Sequence, residues 1–207
     1  MTNTDNTFSI VAFDPVSKAF GVAVTTARPA VGNRVPFAQF GVGAIATQAN
    51  TNPQLGYLGL QELAKGLSAE QVREILIAAD SDIQTRQFTI VDTQGRVAAF
   101  TGTEPADYKN HLLGNYCAVA GNCLVGQQVL EDMLVTFESS TEIFEIKLLQ
   151  AIAAGQQAGG DKRGKISSAL RVVTQAGHPY LDLRIDKSEQ PVDDLFELYA
   201  EYKKYFK

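Results

Sequence analysis

The sequence predicts an α+β fold in which two mainly antiparallel sheets pack face to face between helical layers. Two observations carry this. Four segments with period-2 apolar alternation open the chain with no helix between them, an order that a doubly wound parallel sheet does not allow. Amphipathic helical segments then arrive in pairs, near 53–79 and 127–157, as layers laid over a sheet do.

Phe8, Ile10 and Ala12 alternate with Ser9, Val11 and Phe13. Asp14-Pro-Val-Ser-Lys18 then makes a turn, and Phe20, Val22 and Val24 resume the alternation as the second arm of a hairpin. A second pair, Arg34–Phe40 and Val42–Gln48, hinges at Gly41 and Gly43. The lack of charge from Val35 up to Glu62 predicts strands covered on both faces. After Pro53 the period becomes 3.6: Leu55, Leu58, Leu60 and Leu63 share a helix side that Gly66 ends. Ser68 and Gln71 have the spacing of a capping box ahead of the stripe Val72, Ile75, Leu76, Ala79. Arg86–Asp92 and Arg96–Thr101 flank a Thr93-Gln94-Gly95 turn, and Tyr116–Leu124 is an apolar strand. Helices follow at Gln127–Glu138 and Thr141–Gln157, the second with a capping box from Ser139 to Glu142. A glycine-rich loop at 159–165 leads to a strand at Ser168–Thr174. Gly177-His178-Pro179 turns the chain into Tyr180–Ile185. A last helix from Pro191 buries Val192, Leu195, Phe196, Tyr199 and Tyr202. The order is four strands, two helices, three strands, two helices, two strands, one helix.

The 207 residues are 45% hydrophobic and 20% charged, enough apolar material for a buried core. The balance of 18 basic against 23 acidic residues gives −5, without the basic excess a general nucleic-acid binder needs. No apolar run approaches the roughly 20 residues of a membrane span, and Met-Thr-Asn-Thr-Asp-Asn has neither the charge nor the apolar stretch of a signal peptide. Two cysteines are too few for a disulfide scaffold. These features predict a cytoplasmic protein with no nucleic-acid or membrane partner.

His111 and His178, with Cys117 and Cys123, offer no zinc spacing, so no metal and no cofactor is expected. The gap of six between the cysteines predicts two packed thiols on one strand face. Gly159-Gly-Asp-Lys-Arg-Gly-Lys-Ile-Ser167 approaches a P-loop, but Ile166 stands where a hydroxyl is needed, and the loop joins a helix to a strand in the reverse of the phosphate-binding order. Its Asp161 and Arg163 either pair with each other or face a ligand. Thr47-Gln-Ala-Asn-Thr-Asn-Pro53 is a polar cluster between a buried strand and a helix. It serves either as local helix capping or as a cradle of amides suited to a developing oxyanion. Gly121-Asn122 ends another apolar strand as a turn or as a second carboxamide at the same edge.

Thr7-Phe-Ser-Ile-Val-Ala12, followed by the Gly-Val-Ala-Val strand, resembles the opening hairpin of the N-terminal-nucleophile (Ntn) hydrolases. More specifically, six segments are similar to the family of unknown function numbered 1028: Thr7–Ala12, Gly41–Pro53, Arg96–Gly102, Gly121–Gly126, Gly159–Leu170 and Tyr180–Arg184. The resemblance implies a four-layer αββα sandwich spanning 7–207, with residues 1–6 as an N-terminal extension. It also implies an amidohydrolase or peptidase acting on a small molecule or short peptide. Thr7 would be both nucleophile and base, since an α-amine of pKa about 7.7–8.0 can accept the proton of its own hydroxyl. That requires cleavage of Asn6–Thr7. Asn50, Asn122 and nearby backbone amides would supply the oxyanion hole, and Gln48, Asp161, Arg163 and Ser167 would hold the amine or a polar substrate. Val35–Gly41 lacks the lysine that several relatives carry near the nucleophile. The alternative is a non-catalytic fold that binds a small polar ligand or assembles with itself. The aromatic C-terminal helix, ending in Tyr202, Tyr205 and Phe206, predicts a homo-oligomer, most simply a dimer.

Overall fold

A computed structural model describes residues 4–5, 7–105, 107–175 and 181–206. Eleven strands and five α-helices are formed among them. One sheet runs β4 (Pro36–Gln39), β5 (Gly43–Asn50), β6 (Arg86–Asp92), β7 (Val97–Thr101), with the two-residue β1 (Thr4–Asp5) sharing the outer edge of β5. The other is ordered β11 (Leu181–Ile185), β10 (Ser167–Val173), β3 (Phe20–Thr26), β2 (Thr7–Phe13), β9 (Cys117–Leu124), β8 (Tyr108–Leu113). Every pairing is antiparallel.

The two faces of β2 explain how the layers stack. Strand alternation sends Phe8, Ile10 and Ala12 to one side and Thr7, Ser9, Val11 and Phe13 to the other. The first set joins the apolar cluster shared with α3 (Gln128–Ser139), α4 (Phe144–Gln157) and α5 (Pro191–Tyr205), where Leu130, Met133, Leu148, Leu149 and Leu195 are fully buried. Val11 and Phe13, with Phe20, Val22 and Val24 from β3, meet Ala44, Ala46 and Val91 of the other sheet; those alanines let the sheets approach closely. On its far face that second sheet packs Ile45, Phe88 and Ile90 against α1 (Pro53–Ala64) and α2 (Ala69–Ala79). Burying each such Leu, Ile or Phe contributes about 1.5–3 kcal/mol, so these three clusters dominate the stability of the fold. No helix among the described residues is long and apolar enough to cross a membrane.

Most predicted elements form within a residue or two of their expected bounds. The Ser68–Gln71 capping box is present in both directions, and Asn52 caps α1 through Gln54. Three expectations are corrected. Strand β8 was not anticipated: Tyr-Lys-Asn-His-Leu-Leu is a half-exposed edge strand with a single neighbour, so it never acquires a buried alternating face. The second capping box does not form. Ser139 belongs to the last turn of α3, α4 begins only at Phe144 without a side-chain cap, and Ser140 rather than Ser139 bonds the Glu142 amide. The two cysteines do not share a face. Cys123 adopts φ 56°, which breaks the strand alternation, so Leu124 joins the helix-side core with Cys117 while Cys123 Sγ turns to Asp107. The predicted turn at 177–179 lies outside the described residues.

Since only one of the two boxes exists, Ser68→Ala will cost about 1 kcal/mol and Ser139→Ala less than about 0.5 kcal/mol in urea unfolding at pH 7.

Candidate functional site

Thr7 is the first residue of β2 and is completely buried. Sheet register sets Thr26 opposite it on β3, and Ser167 opposite Thr26 on β10. On the other flank, Phe8 pairs Gly121, so Asn122 stands one position beyond the last pair, level with Thr7. A row of four polar residues thus crosses one end of the larger sheet. Thr7 Oγ1 donates to Thr26 Oγ1 at 3.2 Å. The Thr7 nitrogen is bonded to Asn6 and is a peptide amide, and β1 upstream of it pairs Thr4 with Asn50 and Asp5 with Ala49.

Facing this row across the sheet interface is a chain of carboxamides whose orientation follows from one fact. Gln87 Nε2 donates to two backbone carbonyls, Asn110 and Gly121, each at 3.0 Å, and to Thr101 Oγ1 at 2.9 Å. A carbonyl can only accept, so Gln87 Oε1 must face the other way and receive donors. It receives two, Gln48 Nε2 at 2.7 Å and Asn122 Nδ2 at 2.9 Å. Gln48 Oε1 then accepts from Ser9 Oγ at 2.7 Å, while Gln48 Nε2 also reaches the Thr7 carbonyl at 3.4 Å. Gln48, Gln87 and Asn122 are all fully buried. One consequence is left over: Asn122 Oδ1 is buried with no hydrogen-bond partner among the described residues. Gln87 was not singled out from the sequence. Its polar side chain on an inward strand position was the available signal, but nothing in the sequence pairs it with Gln48, 39 residues away, which it faces directly in the β5–β6 register.

Asn50 lies apart from this chain. Its Nδ2 donates to Thr85 at 3.4 Å and its carbonyl accepts from Arg86 Nη1. The reason is Ala49, held at φ 69°, which interrupts the alternation between Gln48 and Asn50. A non-glycine residue in this left-handed region is strained, and so is Cys123 beside Asn122; such positions concentrate at functional sites. Arg86 is clamped by Asp80, with Nε–Oδ2 at 3.0 Å, and Asp80 also accepts from Asn52 at 2.8 Å. Burial pushes the Asp80 carboxyl up, but the hydrogen bonds from Asn52 and Arg86 outweigh it and leave the pKa below 3.8.

The remaining predicted residues divide by role. Asp161 and Arg163 pair with each other: the Asp161 carboxylate, wholly buried, receives Arg163 Nε at 3.1 Å and Nη2 at 2.8 Å inside a loop that bridges to Leu124. Ser167 is structural, donating to the Arg28 carbonyl and accepting from the Val31 amide at 3.1 Å, and so ties the 28–31 loop to β10. Cys117 is pushed up to about 12 by burial and the nearby Glu138 charge, and burial with the Asp107 hydrogen bond raises Cys123, so neither thiol is a ready nucleophile. His111 bonds Thr101 at 2.8 Å, and burial, with the Arg73 charge, lowers its pKa. Among the described residues no three His, Cys, Asp or Glu side chains gather as a metal site. A cavity of about 790 Å³ opens at the β2–β3 turn, lined by Phe13 and Asp14. It is a full strand length from Thr7, roughly 20 Å.

The model of a family of unknown function, DUF1028, matches residues 7–195. The chain belongs to that family. The crystal structure of protein SPO2555 from Silicibacter pomeroyi, also assigned to DUF1028, is similar with a TM-score of 0.89 and 33% identity, over 95% of this chain and 88% of that one. No curated protein matches this DUF1028 chain.

Two measurements check the geometry. Gln87→Leu removes the acceptor that orients Gln48 and Asn122 and will lower unfolding stability by about 2–3 kcal/mol. Asp80→Asn will cost about 2 kcal/mol at pH 7. Since the folded Asp80 pKa lies below its unfolded value, the difference between Asp80→Asn and wild type will shrink as the pH falls below 3.8.

Proposed function

We propose that this DUF1028 protein is an N-terminal-nucleophile amidohydrolase or peptidase in its uncleaved form, with Thr7 as nucleophile and, once Asn6–Thr7 is cut, as its own base. The observation that carries the reading is Thr7 buried at the head of a central strand between two sheets, its hydroxyl on Thr26 and its carbonyl on the Gln48 carboxamide. The family match begins at this residue. The placement of helices outside both sheets agrees with the αββα order of that superfamily.

In the uncut chain two things are missing. The Thr7 nitrogen has no basic lone pair, and the residue has no access to solvent. Hydrolysis of Asn6–Thr7 supplies the first by leaving an α-amine of pKa about 7.7–8.0. It also frees β1 from the edge of β5, beside strained Ala49 and Asn50. Asn122 Oδ1, now without a donor, is level with the new amine and suited to accept one of its N–H bonds. This assigns Asn122 to orienting the base. Its Nδ2 is already engaged by Gln87, and the Asn50 amide by Thr85, so backbone amides at the strand ends are better placed as oxyanion donors. Catalysis then runs in two balanced steps. Thr7 Oγ1 adds to the substrate carbonyl as its proton passes to the α-amine and on to the departing nitrogen, leaving an ester on Thr7. Water, deprotonated by the same amine, adds to the ester and returns the proton to Thr7 Oγ1 as the acid leaves.

A second reading is favoured by the mutual satisfaction of Gln48, Gln87 and Ser9, which leaves a sealed, purely structural interface. This protein is then a non-catalytic fold that binds a small polar ligand. One experiment separates them. Intact mass will reveal a species lacking residues 1–6, and a chain prepared to start at Thr7 will hydrolyse members of an amide panel. Its rate will rise with pH to a plateau above about 8 as the amine loses its proton. Thr7→Ala in the same trimmed chain will lose at least about 1000-fold. Equal behaviour of both trimmed chains on every amide, with a metabolite raising the melting temperature of uncut protein, decides for the binding fold.

A further inference from the structure

The cavity beyond the β2–β3 turn has a composition unlike the Thr7 end. Its walls are aromatic, from Phe13, Tyr116, Phe137 and Phe144, and its rim includes Val16 and Ile143, 89% and 55% exposed. The carboxylates around it are Asp14, Glu138, Glu142 and Glu145, against two cations, Lys147 in the lining and Lys18, 5.7 Å from the Phe13 ring centroid. Lys147 lies over the Phe137 ring at 4.8 Å. Asp14 is engaged in its own turn with Ser17, and Glu138 holds the Asn115 amide. The carboxylates of Glu142 and Glu145 make no hydrogen bond or ion pair among the described residues. The site is therefore apolar within and negative at its mouth.

The complement of that surface is on the same molecule. Helix α5 ends in Lys203-Lys204-Tyr205-Phe206, with basic residues in its last turn, Lys204 paired with Glu201 at 2.5 Å, and Tyr205 and Phe206 exposed at 73% and 51%. Phe206 stacks on Tyr202, ring centroids 4.6 Å apart, so the aromatic end is preformed. Further back, the same helix packs against α4, which forms one wall of the cavity. Tyr199 is buried in the core with Phe144, and close enough to Glu145, in the first turn of α4, for the two to interact electrostatically. A basic aromatic projection and an acidic aromatic recess on one molecule meet the requirement of a two-fold interface, in which each copy offers both halves.

We propose that the chain forms a two-fold dimer in which the Lys203–Phe206 end of each copy seats in the acid-rimmed aromatic cavity of the other. Aromatic side chains filling a recess supply the central anchors, and opposed charges at the mouth set the register. A free small cation or an unrelated protein segment is the competing occupant, and either leaves the chain monomeric when purified alone.

Light scattering on the eluting full-length protein, at up to about 100 µM chain, will give twice the 22.4 kDa chain mass. Tyr205→Ser with Phe206→Ser removes the anchors and will weaken association about 100-fold, without moving the melting temperature of the monomer. Glu142→Lys with Glu145→Lys will weaken it at least about tenfold, as will Lys203→Glu with Lys204→Glu. A chain carrying both reversals restores the attraction and will recover the dimer. A monomer at every concentration overturns the proposal, and so does a dimer indifferent to the tail and cavity substitutions.

Discussion

Two carbonyl oxygens, those of Asn110 and Gly121, fix which way the Gln87 carboxamide faces, and the arrangement between the sheets follows from that choice. With its nitrogen held, Gln87 can only present oxygen to Gln48 and Asn122, and each of these is oriented in turn. The chain crosses from β6 to β5 and back to β2 and β9, so it joins the two sheets at the end where Thr7 begins. Elsewhere the interface is alanine, valine and phenylalanine, whose contacts are non-directional and would tolerate sliding. Buried hydrogen bonds with fixed donors and acceptors do not tolerate it.

The same constraint is what makes the Thr7 end the place for the chemistry we propose. A network with one unmatched oxygen, Asn122 Oδ1, and two strained non-glycine residues, Ala49 and Cys123, holds a cost that a purely structural interface would be expected to shed. Ser167, Asp161 and Arg163 lie around that end, each bonded within the protein. They brace the loops that frame it. The aromatic cavity at the opposite end of β2 is built from different materials and carries the opposite logic, an open recess with uncompensated charge at its mouth.

Sequence patterns were reliable wherever structure is decided locally. The hairpin at Phe8–Val24, the Ser68 cap and the amphipathic helices depend on neighbours within a few residues, and the period of the apolar positions reports them. Strand β8 escaped because an edge strand buries too little to impose alternation. Ser139 misled for the converse reason: its spacing to Glu142 fits a cap, yet α3 extends through it because its apolar stripe stays packed to Phe137. The candidate residues Thr7, Gln48, Asn122 and Ser167 were visible as polar punctuation at strand ends, but their partners were not, whereas the pairing of Asp161 with Arg163 in the glycine-rich loop was one of two outcomes the sequence offered.

By itself the amino-acid order determined the succession of strands and helices, the faces they bury, and the placement of a threonine at the head of a central strand, because each of these follows from backbone geometry and local apolar period. Only the tertiary structure decided that Gln48 meets Gln87, that Asn122 donates to Gln87 and keeps its own oxygen unmatched, and that Asn50 turns away. Those outcomes depend on which distant strands become neighbours and on how a handful of buried donors and acceptors satisfy one another, and contacts spanning dozens of residues leave no periodic trace in a single chain.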